Sequence, residues 1–223
     1  MKKSTIVVVT LSLILFCAHV EAAPTYSFVN ITNNNAGDAA IGEAQLFVEL
    51  FDVGVNQVNF AFTNSGPEAS SITDVYFDDG SLLGIASIDD SDPGVQFSQN
   101  ATPSELPGAN TVSPPFVTTT DFSADSDPPA QPNGVNPGES LGITFDLQTG
   151  ATFADVINDL ASGDLRIGIH VQGFASGGSE SFINNGIVDG DGDPNGKIPA
   201  PGALLLCGIG AGCLGWLRRR GTL

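Results

Sequence analysis

An oxygen ligand stands at every second position in Asp189-Gly190-Asp191-Gly192-Asp193-Pro194-Asn195-Gly196. Alternate carboxylates can converge on one hard cation where the backbone turns sharply, and Gly196 would supply that turn. Counted from Asp191, the run opens like an EF-hand loop, with Asp191, Asp193 and Asn195 as ligands and Asp189 just upstream. The bidentate Glu that closes such a loop would fall at Gly202. The run therefore reads first as a solvated linker and second as a calcium site built on Asp189, Asp191, Asp193 and Asn195. The pair Asp78-Asp79 and the cluster Asp89-Asp90-Ser91-Asp92 are further, less defined cation candidates.

Groups suited to catalysis are few. Between residues 23 and 197 there is one histidine, His170, and no cysteine. His170 falls on the polar side of an alternating run, four residues from Arg166, and reads as a surface residue. No GxSxG, HExxH or phosphate-loop motif occurs. Carboxylates are plentiful, so a paired-carboxylate hydrolase acting on surface polymers is a third reading, but no two acids stand out from the rest. Trp216, the single tryptophan, lies near the C-terminus. Sugar grooves favour exposed aromatic platforms, and only Tyr26, Tyr76 and the phenylalanines remain to make one. We therefore expect no catalytic residues, no cofactor other than calcium at the run above, and a non-enzymatic structural or interaction role, with a calcium-dependent binding or adhesion module as the second reading.

Charge narrows the partners. From Ala23 to Gly196 the only basic residue is Arg166, against 24 Asp and Glu. Nucleic acids and anionic membrane surfaces need Lys/Arg clusters, so neither is an expected partner. Acidity of this kind favours solubility and divalent cations. Cys17, Cys207 and Cys213 all lie near the termini, so the middle of the chain has no disulfide framework or thiolate metal site.

The two ends carry address signals. Met1-Lys2-Lys3 precede an apolar run from Ile6 to Ala18, which leads to Val20-Glu21-Ala22. A basic start, a short apolar stretch and a small-residue exit are the three parts of a secretory signal peptide. Cleavage is expected between Ala22 and Ala23. At the other end, Ile198–Leu217 is 20 residues without a charge, followed at once by Arg218, Arg219 and Arg220. About 20 uncharged residues span a bilayer as a helix, and an Arg cluster stays on the cytoplasmic side. The order Pro199-Ala200-Pro201, apolar stretch, Arg218-Arg219-Arg220 resembles a PEP-CTERM sorting tail. The resemblance covers roughly the last 26 residues, and Ala200 stands where the family's Pro-Glu-Pro motif has Glu. It implies anchoring by the tail, processing by a membrane enzyme of the exosortase type, and delivery to the cell surface or extracellular polysaccharide of a Gram-negative bacterium. It implies nothing about what the exported domain does.

The elements between these ends read as β-structure. Leu46, Val48 and Leu50 share one face of a run, as do Val58, Phe60 and Phe62 within 55–63. Val75 and Phe77 continue the pattern after the turn signal Asn64-Ser65-Gly66-Pro67. Leu141, Ile143, Phe145 and Leu147 alternate with small or polar residues, and so do Leu165, Ile167, Ile169 and Val171. One helix is expected over 153–161, where Phe153, Val156, Ile157 and Leu160 make an apolar stripe. Thr152 and Asp155 can box its start and Gly163 can end it. The stretch 88–138 holds nine of the chain's 14 prolines, and we expect short strands within it near 94–98 and 116–122. The chain thus divides into a signal peptide (1–22), an acidic domain (23–187), an Asp/Gly-rich linker (188–197) and a sorting tail (198–223). The expected fold is all-β: an antiparallel, jelly-roll-like sandwich with one short α-helix, flanked by a signal helix and a transmembrane helix.

Overall fold

The computed structural model describes residues 23–187. The expected signal peptide through Ala22, the candidate ligands Asp189, Asp191, Asp193 and Asn195, the motif Pro199-Ala200-Pro201 and the cluster Arg218–Arg220 lie outside the described residues. Ala23 is the first residue described.

Ten strands follow in chain order: β1 Thr25–Asn30, β2 Leu46–Gly54, β3 Gln57–Asn64, β4 Ser71–Asp79, β5 Leu82–Asp89, β6 Phe97–Gln99, β7 Ser123–Ser126, β8 Ser140–Leu147, β9 Leu165–Gln172 and β10 Glu180–Ile187. Three helices join them: α1 Ala36–Gln45, α2 Ala130–Asn133 and α3 Phe153–Ser162. All ten strands belong to one antiparallel sheet in the order β5-β8-β3-β2-β1-β10-β9-β4-β7-β6, which curls into a nearly barrel-shaped body. Where the sequence reading expects two sheets, hydrogen bonding runs unbroken from β5 to β6. The pairing of β1 with both β2 and β10 makes the link that two separate sheets would lack.

Alternation explains the core. In β2 the inward residues are Leu46, Val48 and Leu50, in β3 Val58, Phe60 and Phe62, and in β8 Leu141, Ile143 and Phe145; all are buried. Curling brings this half of the sheet against β4. Phe77 meets Phe145 and Phe60 edge-on, with ring centroids 4.6 and 5.0 Å apart. Such pairs add about 1 kcal/mol each beyond the apolar area they bury. The helix α3 lies between the end of β8 and the start of β9 and lays Val156 and Leu160 on the core. Its Thr152–Asp155 capping box and its left-handed Gly163 end are those expected. A second helix of ten residues, α1, and the single-turn α2 correct the expectation of one helix. Among the described residues no helix is long and apolar enough to cross a membrane.

The other side of the sheet carries a smaller apolar cluster. Residues 100–122, a strap leading from β6 to β7, fold over β4 and β9 and bury Leu106 and Phe116 with Tyr76. The strap can lie close because β9 has Gly168 there: a Cβ would stand 2.7 Å from Leu106 and 3.2 Å from Phe116. The expected strand at 94–98 is realised in part as β6, and that at 116–122 is an irregular stretch ending just before β7.

Candidate functional site

One row of polar side chains crosses five strands on the strap side of the sheet. Ser98 faces Asp125, Asp125 faces Asp74, Asp74 faces His170, and His170 faces Ser181. Residues directly opposite in an antiparallel pair project from the same face, so the row is contiguous. Asp74 is buried at 3% exposure. One of its oxygens, Oδ2, takes the Thr73 hydroxyl at 2.8 Å and lies 3.0 Å from Nδ1 of His170. Two carboxylates placed opposite each other repel, and like-charge pairs of this kind destabilise a sheet. The site therefore carries a built-in electrostatic conflict in its middle.

The strap covers the row. Thr102 donates its amide to Oδ2 of Asp125 at 3.3 Å, Ala101 donates to the Ser123 hydroxyl at 2.9 Å, and Tyr76 donates its phenol to the Pro103 carbonyl at 3.0 Å. Burial pushes the Asp125 carboxyl up to about 6, helped by the charge of Asp74, a hydrogen bond to Asp74 and the charge of Asp127; the Thr102 amide pulls the other way. The same enclosure, with Asp74, Asp125 and Glu105 nearby, raises the Tyr76 phenol. A carboxyl pair of this type can share one proton between its members.

Ser181, His170 and Asp74 stand in the order of a nucleophile, base and orienting acid. Ser181 is fully buried, however, and its hydroxyl meets neither solvent nor a hydrogen-bond partner. A polymer substrate has no approach to it. His170 itself is less exposed than the sequence implies, with its Nδ1 turned to Asp74.

The remaining sequence candidates serve the fold. Asp78 pairs with Arg166, which also donates to the Pro114 and Pro115 carbonyls at 2.7 Å and lies over the Phe116 ring. Asp89 closes a turn on the Ser91 amide, Asp90 accepts from the Phe97 amide, and Asp92 accepts from the Ser140 amide and hydroxyl. These carboxylates point to separate backbone donors rather than to a common centre. Among the described residues no group of three His, Cys, Asp or Glu is placed to hold a metal. An open groove of about 480 Å³ runs past Asn59, Asp89, Asp92 and Ser140, with no aromatic ring in its lining.

No family model, curated protein or solved structure matches this chain.

Two groups that matter here are hidden in the sequence. Asp74 and Asp125 are 51 positions apart and meet only through the β4–β7 pairing. The available hint is an Asp inside the apolar run of β4, where a strand core would not spend one without a partner. Glu180 is the second. It is 1% exposed and accepts hydrogen bonds from Asn30 Nδ2, the Thr32 hydroxyl and the amides of Asn34 and Asn35, so that the loop between β1 and α1 wraps around its carboxylate.

Proposed function

We propose that this chain is an exported, non-enzymatic surface protein, sorted and processed through its C-terminal tail and delivered to the cell surface or extracellular polysaccharide. One observation carries the reading: the order of parts along the chain. A signal-peptide pattern ends at Ala22, and strand β1 begins at Thr25. Strand β10 ends at Ile187, beside Tyr26, and the Asp/Gly linker, the Pro199-Ala200-Pro201 motif, the uncharged stretch and Arg218–Arg220 follow. The strands that start and finish the domain are neighbours in one sheet, and the core is filled from residues within 23–187. This supports a module that keeps its fold when the segments before and after it are cut away.

The domain's chemistry fits a structural or interaction role. Its surface is acidic, its one histidine is held by Asp74, and its open groove has no aromatic platform. We read the curled sheet as a jelly-roll-like sandwich, with β8 and β3 facing β4 across the phenylalanines, and the residues 198–217 as the membrane helix that holds the domain before release. The exosortase-type enzyme and the export machinery are the partners this reading requires.

The test is genetic. With Pro199→Ala and Pro201→Ala together, the reading predicts that the protein accumulates in the membrane fraction at its unprocessed size. Unchanged release into the extracellular fraction would remove the sorting proposal.

A further inference from the structure

The β6–β7 hairpin enters the strand ladder through β7 alone, while the strap between the two strands is held separately, by Leu106 and Phe116 on Tyr76, by Arg166 on the Pro114 and Pro115 carbonyls and by the Phe77–Phe122 and Thr119–Phe77 backbone bonds. The β7 join has three register pairs: Asp74 with Asp125, Val75 with Ala124, and Tyr76 with Ser123. β6 has no hydrogen-bonded neighbour other than β7 and stands at the end of the sheet. One of the three ladder pairs that fasten the hairpin end of the flap is therefore two carboxyl groups placed opposite each other, one of them buried. A neutral or oppositely charged pair would be the more stable choice at this position. We propose that Asp74 and Asp125 form a proton-held clasp, which fastens the 97–126 flap to the sheet in acid and loosens it as the pH rises.

With one proton between them, a carboxyl–carboxylate hydrogen bond replaces the repulsion, and Asp125 still accepts the Thr102 amide. When that proton leaves, two negative charges face each other across β4 and β7. Nothing on the surrounding elements neutralises both. On β4 the neighbouring titratable group is the phenol of Tyr76, and just past the end of β7 it is Asp127, whose Oδ1 takes the Ser98 hydroxyl at 2.8 Å. From β9 comes His170, which faces Asp74 rather than Asp125. The strap brings Glu105, bound to the Thr118 amide at 3.1 Å, and β6 brings Ser98, which does not titrate. Arg166 is committed to Asp78 further along. The charged groups that act on Asp125 are thus the carboxyls of Asp74 and Asp127.

The direction of the response follows from where the carboxyl titrates in each state. Asp125 sits at about 6 in the fold against an ordinary 3.8. A raised value means that the folded flap binds the proton more tightly than the open one. The proton's contribution to closure is fully present below about pH 3.8 and is progressively lost as the pH rises through about 6. Between those two values the closing equilibrium of an enclosed carboxyl changes by a factor of about ten for each pH step of one. Asp125 is partly exposed, so solvent screening reduces the change across the whole interval to an expected factor of about ten.

The experiment is amide exchange on the full chain in detergent micelles, read by mass spectrometry and corrected for the intrinsic pH dependence of exchange. Protection of peptides that span β6 and β7 should fall about tenfold between pH 3.5 and pH 7.5, while peptides from β2 and β3 keep theirs. In Asp125→Asn the flap should stay protected at both pH values. In Asp127→Asn, where the neighbouring charge is removed but the pair remains, the fall should persist. A flap whose protection does not change with pH overturns the proposal. So does a fall that survives in Asp125→Asn or vanishes in Asp127→Asn.

Discussion

Replacing Glu180 with Gln tests how much of the fold hangs on one buried carboxylate. The two oxygens are used unequally. Oε2 accepts from Asn30 Nδ2 at 3.0 Å, from the Thr32 hydroxyl at 2.5 Å and from the Asn34 amide at 3.1 Å, and Oε1 accepts from the Asn35 amide at 2.5 Å. A glutamine has one oxygen to offer, and its lowest-energy placement keeps that oxygen at the Oε2 position. Its NH2 then confronts the Asn35 amide, donor against donor, at the N-cap of α1. One charge-assisted hydrogen bond disappears and one enclosed amide is orphaned, and these together cost about 2–4 kcal/mol. For a domain of this size that is a fall in Tm of roughly 6–12 °C. Urea denaturation followed by far-UV circular dichroism reads the loss directly. The pH dependence gives a second check. Burial pushes the Glu180 carboxyl up, but the hydrogen bonds from Thr32, Asn30, Asn35 and Asn34 outweigh it and hold the carboxyl below its ordinary 4.5. A lowered value contributes stability that is complete above pH 4.5 and drains away as the pH falls through the folded value. The gap between wild type and Glu180→Gln should therefore narrow below pH 4.5. A variant within 0.5 kcal/mol of wild type at pH 7, on the scale expected for an ordinary surface change, would refute the assignment of this carboxylate as the organiser of the loop.

Further outcomes are expected from the backbone. Val55 is 95% exposed at the tip of the β2–β3 hairpin with φ +45°, a conformation that β-branched residues disfavour. Val55→Asn suits the two-residue turn and should raise stability by about 1 kcal/mol, measured as a Tm shift of roughly 2–4 °C; no gain would mean that Val55 is unstrained there. Gly42 faces Phe182, and a Cβ at that position would lie 2.2 Å from the ring. Gly42→Ala should cost about 1–3 kcal/mol through displacement of α1 from β10, despite the better helix propensity of alanine; a stabilised variant in urea would show that the helix moves freely. Thr152→Ala removes the hydroxyl half of the α3 capping box and should cost about 1 kcal/mol in the same assay; equal stability would mean that the cap is idle.

Legibility in the sequence followed the regularity of each strand. β8 and β9 keep a strict two-residue period and are placed correctly to within a residue. β4 and β5 do not, because register shifts fall between Ile72 and Asp74 and twice within β5. A bulge puts one extra residue on the strand and breaks the alternation that a reader relies on. Thus Ile72 and Val75 both face the core although they are three positions apart. β10 mixes Glu180, Ser181, Asn184 and Asn185 with its apolar residues because its start serves the Glu180 loop, whereas β1 does alternate, with Tyr26 and Phe28 in the core. The helix α1, Ala-Gly-Asp-Ala-Ala-Ile-Gly-Glu-Ala-Gln, has small residues where it meets the sheet, so its buried side looks like a loop composition. The acidic row was illegible for a different reason. Its members become neighbours only through the strand order, and no local spacing links Asp74, Asp125 and His170.

Two carboxyl groups in this domain respond to acid in opposite directions. Glu180 strengthens the fold above its folded value, and Asp125 weakens the attachment of the flap above its own. The acidic groups of the domain are thus not a uniform surface coat: they include one buried carboxylate engaged by donors and one facing another acid.

The central claim is that this domain is exported and freed from its tail. Intact mass spectrometry of the protein recovered from its native host, with membrane and extracellular fractions analysed separately, tests it most directly. The account predicts an extracellular species that lacks residues 1–22 and everything beyond about Pro201. A single membrane-bound species that still carries Arg218–Arg220 would contradict it and leave a simple anchored ectodomain in its place.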